Sequence, residues 1–148
     1  MWTLPAVAPD ANPKTGGPGS VWVVANTDAY GPGPGDALQH TRDYGATFTP
    51  VGNFTVFNSN SNAGWPYPVV AAHAAGCVAL VAQGLGDSVP HVWASLDSGA
   101  TWTVVDDAAA GQYYTPGVTG LEWDAQDATV LYISTNGRSV IAVKFDSA

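Results

Sequence analysis

Ser95-Leu96-Asp97-Ser98-Gly99-Ala100-Thr101-Trp102 decides how the rest of this chain is read. An earlier copy, Thr41-Arg42-Asp43-Tyr44-Gly45-Ala46-Thr47-Phe48, places a hydroxyl, Asp, Gly, Thr and an aromatic at the same spacing. Gly-Ala-Thr is the same in both, and each copy runs into a short β-prone segment, Thr49-Pro50-Val51 or Thr103-Val104-Val105. Two matches in 148 residues make an internal repeat. The spacing predicts a β-hairpin locked by its own side chains. Asp43 and Asp97 can accept hydrogen bonds from backbone N–H groups about two residues on, as in Asx-turns. Gly45 and Gly99 supply a positive φ at no steric cost. Thr47-Phe48 and Thr101-Trp102 begin the return strands, with the aromatic ring available to pack under the turn.

Composition narrows the function. Four Lys and Arg stand against twelve Asp and Glu, a formal net charge of −8. So little positive charge argues against neutralising nucleic-acid phosphates or docking on an anionic membrane surface. An acidic surface with few lysines suits secreted carbohydrate-active proteins, so an extracellular location is expected. The N-terminal Met1 to Pro9 stretch nevertheless lacks the basic start of a signal peptide. With Cys77 alone, no intrachain disulfide forms, and its apolar run Cys77-Val78-Ala79-Leu80-Val81-Ala82 points to a buried, inert thiol. Asn53-Phe54-Thr55 is a glycosylation sequon, relevant only in a eukaryotic secretory pathway.

Taken in order, the chain reads as all-β. Residues 1–19, rich in Pro, Gly and Ala, are expected to be an irregular lead-in, with Pro9-Asp10-Ala11-Asn12-Pro13 a turn before the first strand. Strands are expected at 21–25, 37–42, 48–54, 69–75, 77–83, 91–94, 102–105, 118–123, 129–134 and 140–145. An alternative helical reading of the Ala-rich 69–83 region is bounded too closely by Pro66, Pro68, Gly76 and Gly84. Asn136-Gly137 is a strong hairpin signal and stands where a third, decayed copy of the motif would lie, Ser134 to Val140. The units then run 20–55, 67–107 and 117–146, about the length of four-stranded propeller blades of ~40–50 residues. The outer two are short of a strand on this reading.

The S-x-D-x-G-x-T-W stretch resembles the Asp-box, or BNR repeat, of propeller blades in sialidases and related glycoside hydrolases. In those families the box lies on the blade periphery, which implies a structural role for Thr41, Asp43, Gly45, Thr47, Phe48, Ser95, Asp97, Gly99, Thr101 and Trp102. The order of parts adds specificity: the Pro-Asp-x-Asn-Pro lead-in, Val21-Trp22-Val23, the two boxes, and a closing Val130-Leu131-Tyr132-Ile133-Ser134-Thr135-Asn136-Gly137-Arg138. Together they resemble the C-terminal blades of the xyloglucanase-like glycoside hydrolase family 74 proteins over residues 10–146. Ser134 and Ser139 stand where that family's closing pattern has glycine. The resemblance implies part of an inverting β-glucan hydrolase built from two propellers. It also implies catalytic aspartates outside this chain, because no position here matches either motif.

The residues themselves nominate no catalytic pair. Asp28, Asp36, Asp87, Asp106, Asp107, Glu122 and Asp124 are available, but nothing pairs two of them for inverting hydrolysis. His40, His73 and His91 lack metal-ligand spacing, and no metal or cofactor is expected. Loop aromatics Trp65, Tyr67, Tyr113 and Tyr114 are the candidates for stacking on sugar rings, against the alternative that they pack between blades. A three-unit propeller would leave two apolar faces open. Remaining blades are therefore expected from a longer polypeptide, a partner chain or self-association. The two function readings are part of a carbohydrate-active propeller, providing scaffold and cleft wall, or a non-catalytic extracellular interaction module.

Overall fold

Alternating β-branched and aromatic residues at Val21-Trp22-Val23-Val24, and the uninterrupted apolar run at 77–82, favour extended backbone over helix. The structure is a computed structural model and describes residues 6–24, 37–55, 69–84, 91–105, 118–135 and 139–146. These residues are all-β, with no helix, in three antiparallel sheets. The first sheet holds β1 (Ala6–Pro9), β2 (Val21–Val24), β3 (Leu38–Thr41) and β4 (Thr49–Pro50) in spatial order. The middle sheet holds β5 (Phe54–Thr55), β6 (Val70–Ala72), β7 (Val78–Gly84), β8 (His91–Ser95) and β9 (Thr103–Val104). The third holds β10 (Val118–Trp123), β11 (Val130–Thr135) and β12 (Ser139–Lys144).

The sheets stack face to face, as successive blades of an incomplete propeller do. β6 of the middle sheet touches β1 on one side and β10 on the other. Side-chain alternation then splits the core in two. From β7, Val78, Leu80 and Ala82 face the first sheet and join Trp22, Val24, Leu38 and Phe54. Cys77, Ala79 and Val81 face the third and join Val118, Trp123, Leu131 and Ile133. Both faces of β7 are thus dry, which is why its sequence is a continuous apolar run rather than an alternating one.

Two segments differ from the sequence expectation. Residues 6–9 are not irregular: they form β1, in register with β2 through Ala8↔Trp22 and Val7↔Val23, so the Pro9–Pro13 turn follows a strand instead of preceding the first one. Proline is tolerated at the end of this edge strand, where its missing N–H breaks no ladder. The expected return strand 48–54 is split by Gly52 at φ 67°. Thr49–Pro50 pairs with β3, whereas Phe54–Thr55 crosses to pair with β7. Burial explains the crossing: Phe54 is 3% exposed and packs edge-on against Trp93 at 5.4 Å and Trp102 at 5.0 Å.

The same inner turn recurs in each sheet. Asp10, His73 and Asp124 follow the innermost strands β1, β6 and β10. Each closes the turn with its own amide, bonded to the carbonyl of Ser20, Cys77 or Val130. Each side chain also accepts the amide two residues on, from Asn12, Ala75 or Gln126, at 3.1, 3.0 and 2.8 Å. Register then aligns the repeats: Val7, Val21 and Val23 of the first sheet stand where Val70, Val78 and Leu80 stand in the middle one. In the middle sheet the preceding sheet buries these positions, to 9%, 1% and 0% exposure. In the first sheet no described strand covers them, and Val7 is 61% exposed. The far face of the third sheet is mixed, with exposed Tyr132, Val140 and Ala142 beside Glu122 and Lys144.

This packing sets a stability prediction. Leu80→Ala empties a site at 0% exposure between two sheets and should cost about 2–5 kcal/mol in urea denaturation. Val140→Ser, at 61% exposure on β12, should change stability by no more than about 0.5 kcal/mol.

Candidate functional site

The two motif copies form hairpins with the same bonds. Ser95 Oγ donates to Asp97 Oδ1 at 2.7 Å and accepts the Gly99 amide at 2.8 Å. Asp97 Oδ1 accepts the Thr101 amide at 2.8 Å, and Oδ2 the Thr101 hydroxyl at 2.6 Å. In the first copy Thr41 Oγ1 donates to Asp43 at 2.8 Å and accepts the Gly45 amide at 3.0 Å. Asp43 accepts the Thr47 amide and hydroxyl at 2.8 and 2.6 Å. Backbone conformations match too: φ is 59° at Tyr44 and 58° at Ser98, and 85° at both Gly45 and Gly99.

The sequence reading located these turns but understated the lock. The aspartates reach four residues on, to Thr47 and Thr101, not two, and the leading hydroxyls of Thr41 and Ser95 cap the glycine amides. It also missed that a non-glycine residue in each turn is left-handed, a conformation that costs Tyr44 and Ser98 energy. Their amides recover a partner by donating to Gly19 and Gly76 carbonyls at 3.1 and 2.7 Å, docking each hairpin on its sheet's inner turn. The aromatics diverge. The Trp102 indole donates to the Gly99 carbonyl at 3.0 Å and is half-buried, whereas Phe48 is 49% exposed.

These bonds fix the charge of the motif. In Asp43 the Thr47 hydroxyl and amide hold the carboxyl below the ordinary 3.8. In Asp97 burial pushes upward, but the Thr101 and Ser95 hydrogen bonds outweigh it and the net shift is downward. Asp124, bonded by the Gln126 amide and Tyr132 hydroxyl, and Asp127, bonded by Thr129, are also lowered. All four are shifted toward the ionised form, the wrong direction for a general acid that must stay protonated near neutral pH. Cys77, bonded to the Ala128 carbonyl at 3.2 Å, has its thiol pushed up by burial, away from nucleophilic thiolate. No group of three or more metal-ligating side chains occurs among the described residues.

Between the first hairpin, the inner turn of the first sheet and the tip of the second hairpin lies a groove of about 380 Å³. Thr15, Trp22, His40, Arg42, Thr49 and Ser98 contribute to its wall. Behind it is a buried polar set. His40 Nε2 meets Asp10 Oδ2 at 2.9 Å, with both side chains under 10% exposed. The His40 ring lies 4.2 Å from that of Trp22, and Thr15 donates to Asp10 at 3.3 Å. Asn12 Nδ2 donates to Ser98 Oγ at 2.9 Å and ties the two sheets together at the groove. Sequence reasoning treated Asp10 as a turn residue and His40 as an isolated histidine; their separation of thirty positions hides the pair.

The remaining candidates are dispersed. Asn53 is exposed in the turn between β4 and β5, beside the buried Phe54. Glu122 is exposed on β10. Trp65, Tyr67, Tyr113 and Tyr114, like Asp28, Asp36, Asp87, Asp106, Asp107 and the Asn136-Gly137 turn, lie outside the described residues. No helix among the described residues is long and apolar enough to cross a membrane. Compared with known proteins, the chain matches no family model, and no curated protein gives a significant match.

Two outcomes test the hairpin chemistry. Ser95→Ala leaves the partly buried Gly99 amide without its acceptor and should cost about 1–3 kcal/mol in thermal or urea unfolding. Because Asp43 and Asp97 titrate below 3.8 when folded, their stabilisation is complete above that value. It is lost as pH falls through the lower folded values. The melting temperature should therefore drop below pH 3.8, and the Asp43→Asn/Asp97→Asn double variant should show a lower neutral-pH melting temperature and a shallower acid decline.

Proposed function

We propose that the chain supplies Asp-box blades of a carbohydrate-active β-propeller, similar to the C-terminal blades of glycoside hydrolase family 74. It provides scaffold and glycan-cleft wall rather than an acid and base of its own. One observation carries this reading: the duplicated hydroxyl–Asp–Gly–Thr hairpin, with the same bonds in both copies and the same docking on an inner-turn glycine. Its aspartates are consumed by four-residue turns and point to structure, not catalysis. The lowered carboxyls of Asp43, Asp97, Asp124 and Asp127 support placing the chemistry elsewhere. The apolar outer face of the first sheet supports completion by further blades, from a longer polypeptide, a partner chain or self-association. An extracellular setting follows from the same likeness.

A non-catalytic extracellular platform is the second reading, favoured by the same absence of a carboxyl held in its protonated form among the residues with shifted titration. Incubating the purified chain with xyloglucan and mixed-linkage β-glucan separates the claims. No reducing ends should be released, while the chain should co-sediment with the glycan if it contributes cleft wall. Hydrolysis by the isolated chain would overturn the scaffold reading, and the absence of glycan retention would favour the platform. In sizing with light scattering the chain should run larger than 15.2 kDa, and a well-folded monomer would contradict the need for further blades.

A further inference from the structure

The repeat supplies an internal control for the groove. Aligned by register, Trp22, His40, Arg42 and Val51 of the first sheet stand where Ala79, Ala94, Leu96 and Val105 stand in the middle one. In the middle sheet those four positions belong to, or pack against, the apolar core shared with the third sheet. The fold is therefore satisfied by small and aliphatic residues at this place. In the first sheet the same place holds a buried Asp10–His40 pair, an indole edge and a guanidinium around open space. Burying such a pair costs desolvation that the aliphatic version avoids.

Arg42 lines the same groove. In a chain with three acids for each cation, it forms no ion pair with a described residue, although Lys144 finds Asp127 at 3.3 Å. The nearby carboxylates are already engaged, Asp43 by Thr41 and Thr47 and Asp10 by His40, Thr15 and the Asn12 amide. A planar guanidinium with free donors at a groove mouth matches a carboxylate in bidentate fashion. The wall also offers hydroxyls from Thr49, beside His40 on the same sheet, and from Ser98, which accepts from Asn12. At about 380 Å³ the space is at the lower end of ligand pockets, which run ~300–1,000 Å³, and so fits one small ring rather than a chain.

We infer that the groove between the two hairpins is a binding site for a small, hydroxyl-rich carboxylate of the size and class of a hexuronate. Arg42 holds the carboxylate, Thr49 and Ser98 bond hydroxyls, and the Asp10-braced His40 and Trp22 edge form the back wall. Occupancy of this groove does not depend on the propeller function proposed above.

The test is an NMR titration of the full chain with D-galacturonate, using D-galactose as the neutral control. Saturable shifts should appear at the Trp22 indole, the His40 ring and Thr49, with galactose binding at least about tenfold more weakly. Arg42→Leu installs the residue that the second hairpin carries at this position, Leu96, on an exposed site. It should weaken galacturonate about tenfold while the rest of the spectrum is unchanged. Thr49→Val, isosteric on the groove wall, should weaken it severalfold. The inference is overturned if galacturonate gives no saturable change, if galactose binds as well, if the shifts map elsewhere, or if either variant binds like the parent chain.

Discussion

Strand β7 has no solvent face. Val78, Leu80 and Ala82 are committed to one neighbouring sheet, and Ala79 and Val81 to the other, all at 0–1% exposure. Every other element is arranged to keep that strand dry. β6 and β5 pair end to end along one edge and β8 along the other, while the first and third sheets cover its faces. Apolar burial is non-directional, so it fixes the stacking of sheets but not the path of the chain between them. The path is set by directional bonds at the rims.

Those bonds come from short-range chemistry repeated at fixed places. At the inner rim, Asp10, His73 and Asp124 each cap the amide two residues on. At the outer rim, a hydroxyl and an aspartate hold the hairpins at Thr41–Phe48 and Ser95–Trp102. Tyr44 and Ser98 then dock each hairpin on a positive-φ glycine of the inner turn. Inner and outer turns of the first two sheets are thereby bonded to each other, making each sheet a unit that can be repeated. The third sheet keeps the inner turn, but the expected third copy of the motif at Ser134–Val140 is not in the matching place: it joins β11 to β12, the second and third strands of that sheet, whereas the two hairpins join third to fourth strands, β3 to β4 and β8 to β9.

Much of this was legible in the sequence because it is local. The strand runs, the hairpins and the Gly76 turn rest on residues within a few positions of one another. What escaped depends on contacts across the chain. β1 was hidden because Ala6-Val7-Ala8-Pro9 has little strand character alone and is extended only by pairing with Val21–Val24. The crossing at Gly52 followed from the burial of Phe54 against Trp93 and Trp102, forty or so residues away. The Asp10–His40 pair and the groove before it needed three separate segments to meet. The aligned positions of the middle sheet, where alanine and leucine suffice, show that this polar set is not a requirement of the stacking.

Two hairpin turns locked by their own side chains hold the rims of the first two sheets, and amide hydrogen exchange reads that lock residue by residue. In exposed turns amides ordinarily exchange fast. Here Gly45 and Thr47, and equally Gly99 and Thr101, should be protected together with the β7 and β8 ladder, because Thr41, Asp43, Ser95 and Asp97 side chains hold them. Free exchange at these four amides, or protection in one hairpin and not the other, would contradict the claim that the two are the same locked unit.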